Sequence, residues 1–169
     1  MPTARAHRRI AAPAEELWSV VSDPHHLPRW WPRVTRVEDV RDGAFTEVMK
    51  TKKGKTVRAD YELVHVDEAA RTVRWEQTIE GTPFAAALSH SETELLLEPV
   101  RPDAGSMSAG PPATDVTIEL RQELSGRAPR SAGARSPRLG IEPWGARLVR
   151  KAAQATIEEA LMGLERISG

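Results

Sequence analysis

The strongest hydrophobic pattern lies at the end of the chain. Ala146, Val149, Ala153, Ile157, Ala160, Leu164 and Ile167 recur at spacings of three and four, and Leu161 widens the stripe. Such spacing gathers apolar side chains on one face of an α-helix, at about 3.6 residues per turn. A long helix is therefore expected from Pro143 to Ile167. Pro143 suits a first turn, where its missing N–H leaves no bond unmade. Arg150, Lys151, Gln154, Glu158 and Glu165 fall off the stripe. A helix of this length needs an apolar surface to lie on, and much of the remaining chain alternates with period two. The pattern predicts an α+β fold in which one curved sheet holds one long C-terminal helix.

Upstream, Thr3 to Ile10 reads as a first strand. Ala12-Pro13-Ala14-Glu15-Glu16 then opens a short helix to about Ser22, with proline and acids in its first turn. Asp23-Pro24 restarts the chain as a cap residue followed by proline, and a second short helix runs to about Trp30 before Pro32 stops it. Strands follow: Val34 to Val40, the turn Asp42-Gly43, Phe45 to Thr51, and a charged turn at Lys52 to Lys55. Val57, Ala59, Tyr61 and Leu63 alternate with charged neighbours, as do Val73, Trp75, Gln77 and Ile79. Gly81-Thr82-Pro83 breaks the chain before a long strand from about Ala85 to Glu98. Val116, Ile118 and Leu120 mark the last strand. Flexible loops are expected at about 101–113 and 125–138, where Gly, Ser, Pro and Ala dominate. No internal repeat is visible, and residues 1–169 read as a single domain.

Composition narrows the function classes. Lys+Arg and Asp+Glu are both 24, so net charge gives no reason to expect a nucleic-acid partner. Cysteine is absent, which excludes disulfides and thiolate chemistry. No run approaches the ~18 apolar residues that span a bilayer. Met1 to Ile10 carries arginines without an apolar segment behind them, so a cytoplasmic location is the expectation. His7, His25, His26, His65 and His90 show no metal-ligand spacing, and no metal or other cofactor is expected. No Gly-rich phosphate loop or G-x-S-x-G elbow is present.

The order of elements, together with Ile10-x-x-Pro13-x-x-x-x-Trp18 and Asp23-Pro24-x-x-Leu27-Pro28-x-Trp30-x-Pro32, resembles the START-related, Bet v 1-like superfamily. Within it the chain looks most like the polyketide cyclase/dehydrase and lipid-transport proteins. The resemblance runs from about residue 5 to 167. It implies a helix-grip fold: a seven-stranded curved antiparallel sheet wrapped around the C-terminal helix, with two short helices after strand 1. It also implies a cavity between sheet and helix for a small hydrophobic or aromatic molecule. Two further roles follow from the family: an aromatase/cyclase-type enzyme acting on a polyketide-like substrate, or a protein-interaction module. The basic segment 125–138 is longer than this connection usually is in the family.

Candidate ligand-binding residues are Trp30, Trp31, Tyr61, Trp75, Gln77 and Gln122. Trp30 and Trp31 end the second short helix, where an aromatic pair could wall a cavity for a flat ligand. Tyr61, Trp75, Gln77 and Gln122 share strand phases with apolar residues, so they would bring polar tips into an apolar chamber or bond to backbone within an ordinary core. Ser89 to Glu94 is polar in both phases, so either His90, Glu92 and Glu94 or Ser89, Ser91 and Thr93 face inward. The first arrangement would make His90, Glu92 and Tyr61 candidates for proton transfer. The second leaves the charges in water. Arg127, Arg130, Arg135, Arg138, Arg147, Arg150 and Lys151 are opposed only by Glu142, which marks either an anion-facing mouth or a solvated face.

Overall fold

The computed structural model describes residues 3–102, 105, 110–126 and 142–169, with the side chains of the last helix from 145 onward. Seven strands form one sheet: β1 (Thr3–Ile10), β2 (Val34–Arg41), β3 (Ala44–Lys50), β4 (Thr56–Asp67), β5 (Thr72–Gln77), β6 (Leu88–Pro99) and β7 (Thr114–Leu124). Their order is β1-β7-β6-β5-β4-β3-β2, and every neighbouring pair is antiparallel. Helices α1 (Ala14–Val21) and α2 (Leu27–Trp30) carry the chain from β1 at one edge to β2 at the other, and α3 (Glu142–Ser168) closes the structure. This is the helix-grip arrangement.

Local chemistry accounts for the turns. Asp42 and Gly43 both hold positive φ, at 47° and 82°, which matches the right-handed twist of the flanking strands in a two-residue hairpin. Asp23 caps the 3₁₀ turn Pro24–His26 by accepting from the His25 N–H at 3.0 Å. The strand expected from Ala85 begins at Leu88 instead. Pro83 starts a 3₁₀ turn to Ala86, and the Thr82 hydroxyl donates to the Ile79 carbonyl at 2.6 Å. β5 also ends at Gln77, short of the expected Ile79, although Ile79 remains buried. From residue 127 on, the loop expected at 125–138 lies outside the described residues, as do 103–104 and 106–109 of the loop expected at 101–113.

The predicted stripe on α3 is the buried one. Ala153, Ile157, Ala160, Leu161 and Leu164 face the core, joined there by Val73, Leu95, Leu97, Val116 and Ile118 from the sheet. Gly163 brings α3 against α2 so closely that a Cβ there would collide with the Trp30 carbonyl. Arg8 on β1 pairs with Glu165 on the same helix. Among the described residues no helix is long and apolar enough to cross a membrane.

Candidate functional site

Between the inner face of β3–β7 and the first half of α3 the packing leaves a cavity of about 320 Å3. Its apolar wall includes Trp31, Met49, Trp75, Leu88, Leu120, Val149 and Ala153. Small residues on the helix, Ala152, Ala153 and Thr156, leave space that larger side chains would fill. A groove of about 400 Å3 runs outside, between α2 and α3, past Arg29, Arg33 and Arg166. The inner cavity is the better candidate, because buried polar groups converge on it.

The tryptophans divide into a support and a wall. Trp30 is 2% exposed and packs edge-on to Trp31 at 5.3 Å, with its backbone against Gly163. It lies behind the cavity rather than on its surface. Trp31 leaves the helix with extended backbone, which turns its ring inward to meet Trp75 edge-on at 5.8 Å. Perpendicular ring pairs at these distances suit the aromatic quadrupoles.

A polar row crosses this wall. In register, Tyr61 on β4 pairs with Gln77 on β5, and Ser91 on β6 pairs with Gln122 on β7. Gln77 stands one step past the last paired residues of β5 and β6, Glu76 and Glu92. Gln122 Nε2 donates to Ser91 Oγ at 3.4 Å. Tyr61 stacks on Phe45 at 5.4 Å. Thus Tyr61, Trp75, Gln77, Gln122 and Trp31 come together on one cavity.

Sequence reasoning misses Glu47. It lies on β3 in phase with Phe45 and Met49, and that position inside an apolar strand phase is the available signal. Glu47 is 1% exposed. Burial pushes its carboxyl up to about 8, against a hydrogen bond from Tyr61 that favours the charged form. Burial likewise raises the Tyr61 phenol, and the neighbouring carboxylate adds to that rise. Among the described residues Glu47 Oε2 and Gln77 Nε2 are buried without a hydrogen-bond partner, although both side chains line the cavity.

The proton-transfer candidates His90 and Glu92 stand on the opposite face of the sheet. On β6 the buried phase is Ser91, Thr93, Leu95 and Leu97. The cause is cross-strand pairing. Arg121 on β7 holds Glu92 of β6 at 2.7 Å and is itself held by Glu119 of its own strand at 2.8 Å. Arg74 on β5 approaches Glu92 and Glu94, each at 3.9 Å. His90 Nδ1 lies 3.2 Å from Glu76 Oε1. Turning this charged ladder inward would bury ions, whereas the hydroxyls of Ser91 and Thr93 enter a core cheaply. Of the residues considered for proton transfer, Tyr61 alone lines the cavity. Among the described residues no group of three or more metal-ligating side chains stands together.

The fold is shared by solved structures of low sequence identity. The di-domain ARO/CYC BexL from the BE-7585A biosynthetic pathway matches with a TM-score of 0.72 at 19% identity, over 98% of this chain and 46% of that one. The chain thus spans about half the length of that protein. A START superfamily protein from Mycobacterium smegmatis matches with a TM-score of 0.67 at 17% identity, covering 98% and 96% of the two chains. A protein from Thermus thermophilus matches with a TM-score of 0.63 at 24% identity, covering 98% and 95%. No curated relative matches. A family sequence profile matches residues 1–167, and the chain belongs to the polyketide cyclase / dehydrase and lipid transport family.

Proposed function

We propose that this chain binds a small, flat, mainly apolar molecule between its sheet and α3, as a binding or carrier module for a lipid- or polyketide-like compound. The observation that carries this reading is the cavity of about 320 Å3 walled by Trp31, Trp75, Met49 and Leu120. Ligand cavities commonly run from about 300 to 1,000 Å3, apolar with a few directed polar groups. In this reading Trp31 and Trp75 contact the ligand, Tyr61, Gln77 and Gln122 orient it, and Trp30 backs Trp31. Residues 1–169 then act as one ligand-binding unit.

Tryptophan fluorescence and thermal melting test it together. A bound aromatic molecule should alter the emission of Trp31 and Trp75 and raise the melting temperature by mass action. Trp31→Ala should weaken binding more than Trp18→Ala, because Trp18 packs on α1 away from the cavity wall. Unchanged emission and melting across several classes of apolar molecule would refute the proposal.

A further inference from the structure

Among the described residues four buried side-chain atoms lack a hydrogen-bond partner, on Trp30, Arg74, Glu47 and Gln77, and of these only Glu47 and Gln77 line the cavity. Each is buried and faces the cavity, and each keeps one polar atom unbonded. A buried polar atom left without a partner carries a desolvation cost, which a ligand group placed against it would relieve. Tyr61 ties the two together: it bonds the Glu47 carboxyl and pairs in register with Gln77. Glu47 itself sits on β3 two residues along from Phe45, the partner of Tyr61, and so on the same face. The free atom of Gln77 is an amide nitrogen, a donor. The free atom of Glu47 is a donor while the carboxyl holds its proton, which burial favours at neutral pH.

We propose that Glu47 and Gln77 form a subsite that donates hydrogen bonds to an acceptor oxygen, a ketone or quinone carbonyl, on an otherwise apolar ligand of the cavity. This deepens the cavity-binding reading and rests on it. The two donors match the two lone pairs of one carbonyl oxygen. A hydrocarbon of the same shape leaves both unpaired, so the site distinguishes the two. The preference is also gated by protonation, since an ionised Glu47 accepts only and repels the carbonyl oxygen. Tyr61 from β4 is the titratable group acting on Glu47. The side chains across the cavity from β5, β6, β7 and α3 (Gln77, Ser91, Gln122 and Thr156) are uncharged.

Fluorene and fluorenone differ only by a carbonyl in place of a methylene, and titrating both against the full chain tests the subsite. Wild type at about pH 6 should bind fluorenone about tenfold tighter than fluorene, and the ratio should fall severalfold at about pH 10. Glu47→Gln keeps a donor without an ionisable proton, so its preference should persist and become independent of pH. Glu47→Leu should lose most of the preference, with a melting curve recorded to show that it folds. Equal affinity of wild type for the two compounds, or a preference that survives in Glu47→Leu, would overturn the subsite while leaving the cavity reading intact. Failure of both compounds to bind any variant would sink the cavity reading, and the subsite with it.

Discussion

Replacing Gly163 by alanine should destabilise the protein, although alanine is the better helix former by about 1 kcal/mol. The Cβ of an alanine at 163 would meet the carbonyl oxygen, carbonyl carbon and Cα of Trp30. These are main-chain atoms and cannot swing aside like the tip of a long side chain. Helices α2 and α3 would have to separate by something on the order of 1 Å in an interior packed like a crystal. Leu27, Trp30, Ala160 and Leu164 at this junction are 3%, 2%, 0% and 0% exposed, so little slack absorbs the movement. Overpacking costs about 1–3 kcal/mol, and a backbone obstacle puts this site at the upper end, leaving a net loss of about 2 kcal/mol. Gly145 in the first turn of the same helix supplies the control. Among the described residues no atom lies within 4 Å of its Cβ position, so Gly145→Ala should stabilise by up to about 1 kcal/mol. In urea unfolding the Gly163→Ala midpoint should fall by about 1 M at an unchanged slope. Near-ultraviolet circular dichroism should change too, because the Trp30–Trp31–Trp75 chain is disturbed. A Gly163→Ala midpoint at or above wild type, rising as Gly145→Ala does, would refute the reasoning.

Leu164→Ala removes a fully buried side chain on the α3 stripe and should cost about 2–5 kcal/mol, read as a loss of urea midpoint. Thr114→Val breaks the buried hydrogen bond to the Ala12 carbonyl at 2.8 Å and should cost about 1–3 kcal/mol in the same assay. Folding raises the Glu47 pKa from 4.5 to about 8, so the folded protein keeps a proton that the unfolded chain releases. The associated stability is fully present below about pH 4.5, drains at up to about 1.4 kcal/mol per pH unit as pH rises to about 8, and changes no further above that. Glu47→Gln should flatten that part of the profile in unfolding measured across pH, and an unchanged slope would show that Glu47 is not the group responsible.

The helix stripe is legible in the sequence because seven apolar residues keep one period with nothing competing. Strands β4 and β5 are legible for the same reason, with charged neighbours marking the outer phase. The orientation of β6 is not, since Ser89 to Glu94 is polar in both phases. The deciding contacts come from Arg74 and Arg121, which lie far off in sequence and become neighbours only through strand order. Glu47 escapes notice for a related reason. A lone carboxylate in a strand is expected to face water, and its burial follows from Tyr61 and the cavity, which the sequence of β3 does not contain. Trp30 and Trp31 read as an adjacent pair, but the change to extended backbone at Trp31 sends the two rings to different tasks.

The pairing of β1 with β7, which sets Thr3 against Arg121 and Ile10 against Thr114, carries a consequence for the order of assembly. Strands β2 to β7 can zip as successive hairpins, each closing a loop much shorter than the span from β1 to β7. β1 has no sheet partner until β7 is in place, and that closure spans most of the chain, with an entropy cost that grows with the length enclosed. The apolar inner face likewise stays wet until α3, the last element, docks. Folding should therefore pass slowly through its final stage, and a half-built sheet waiting with that face uncovered is the species most exposed to aggregation.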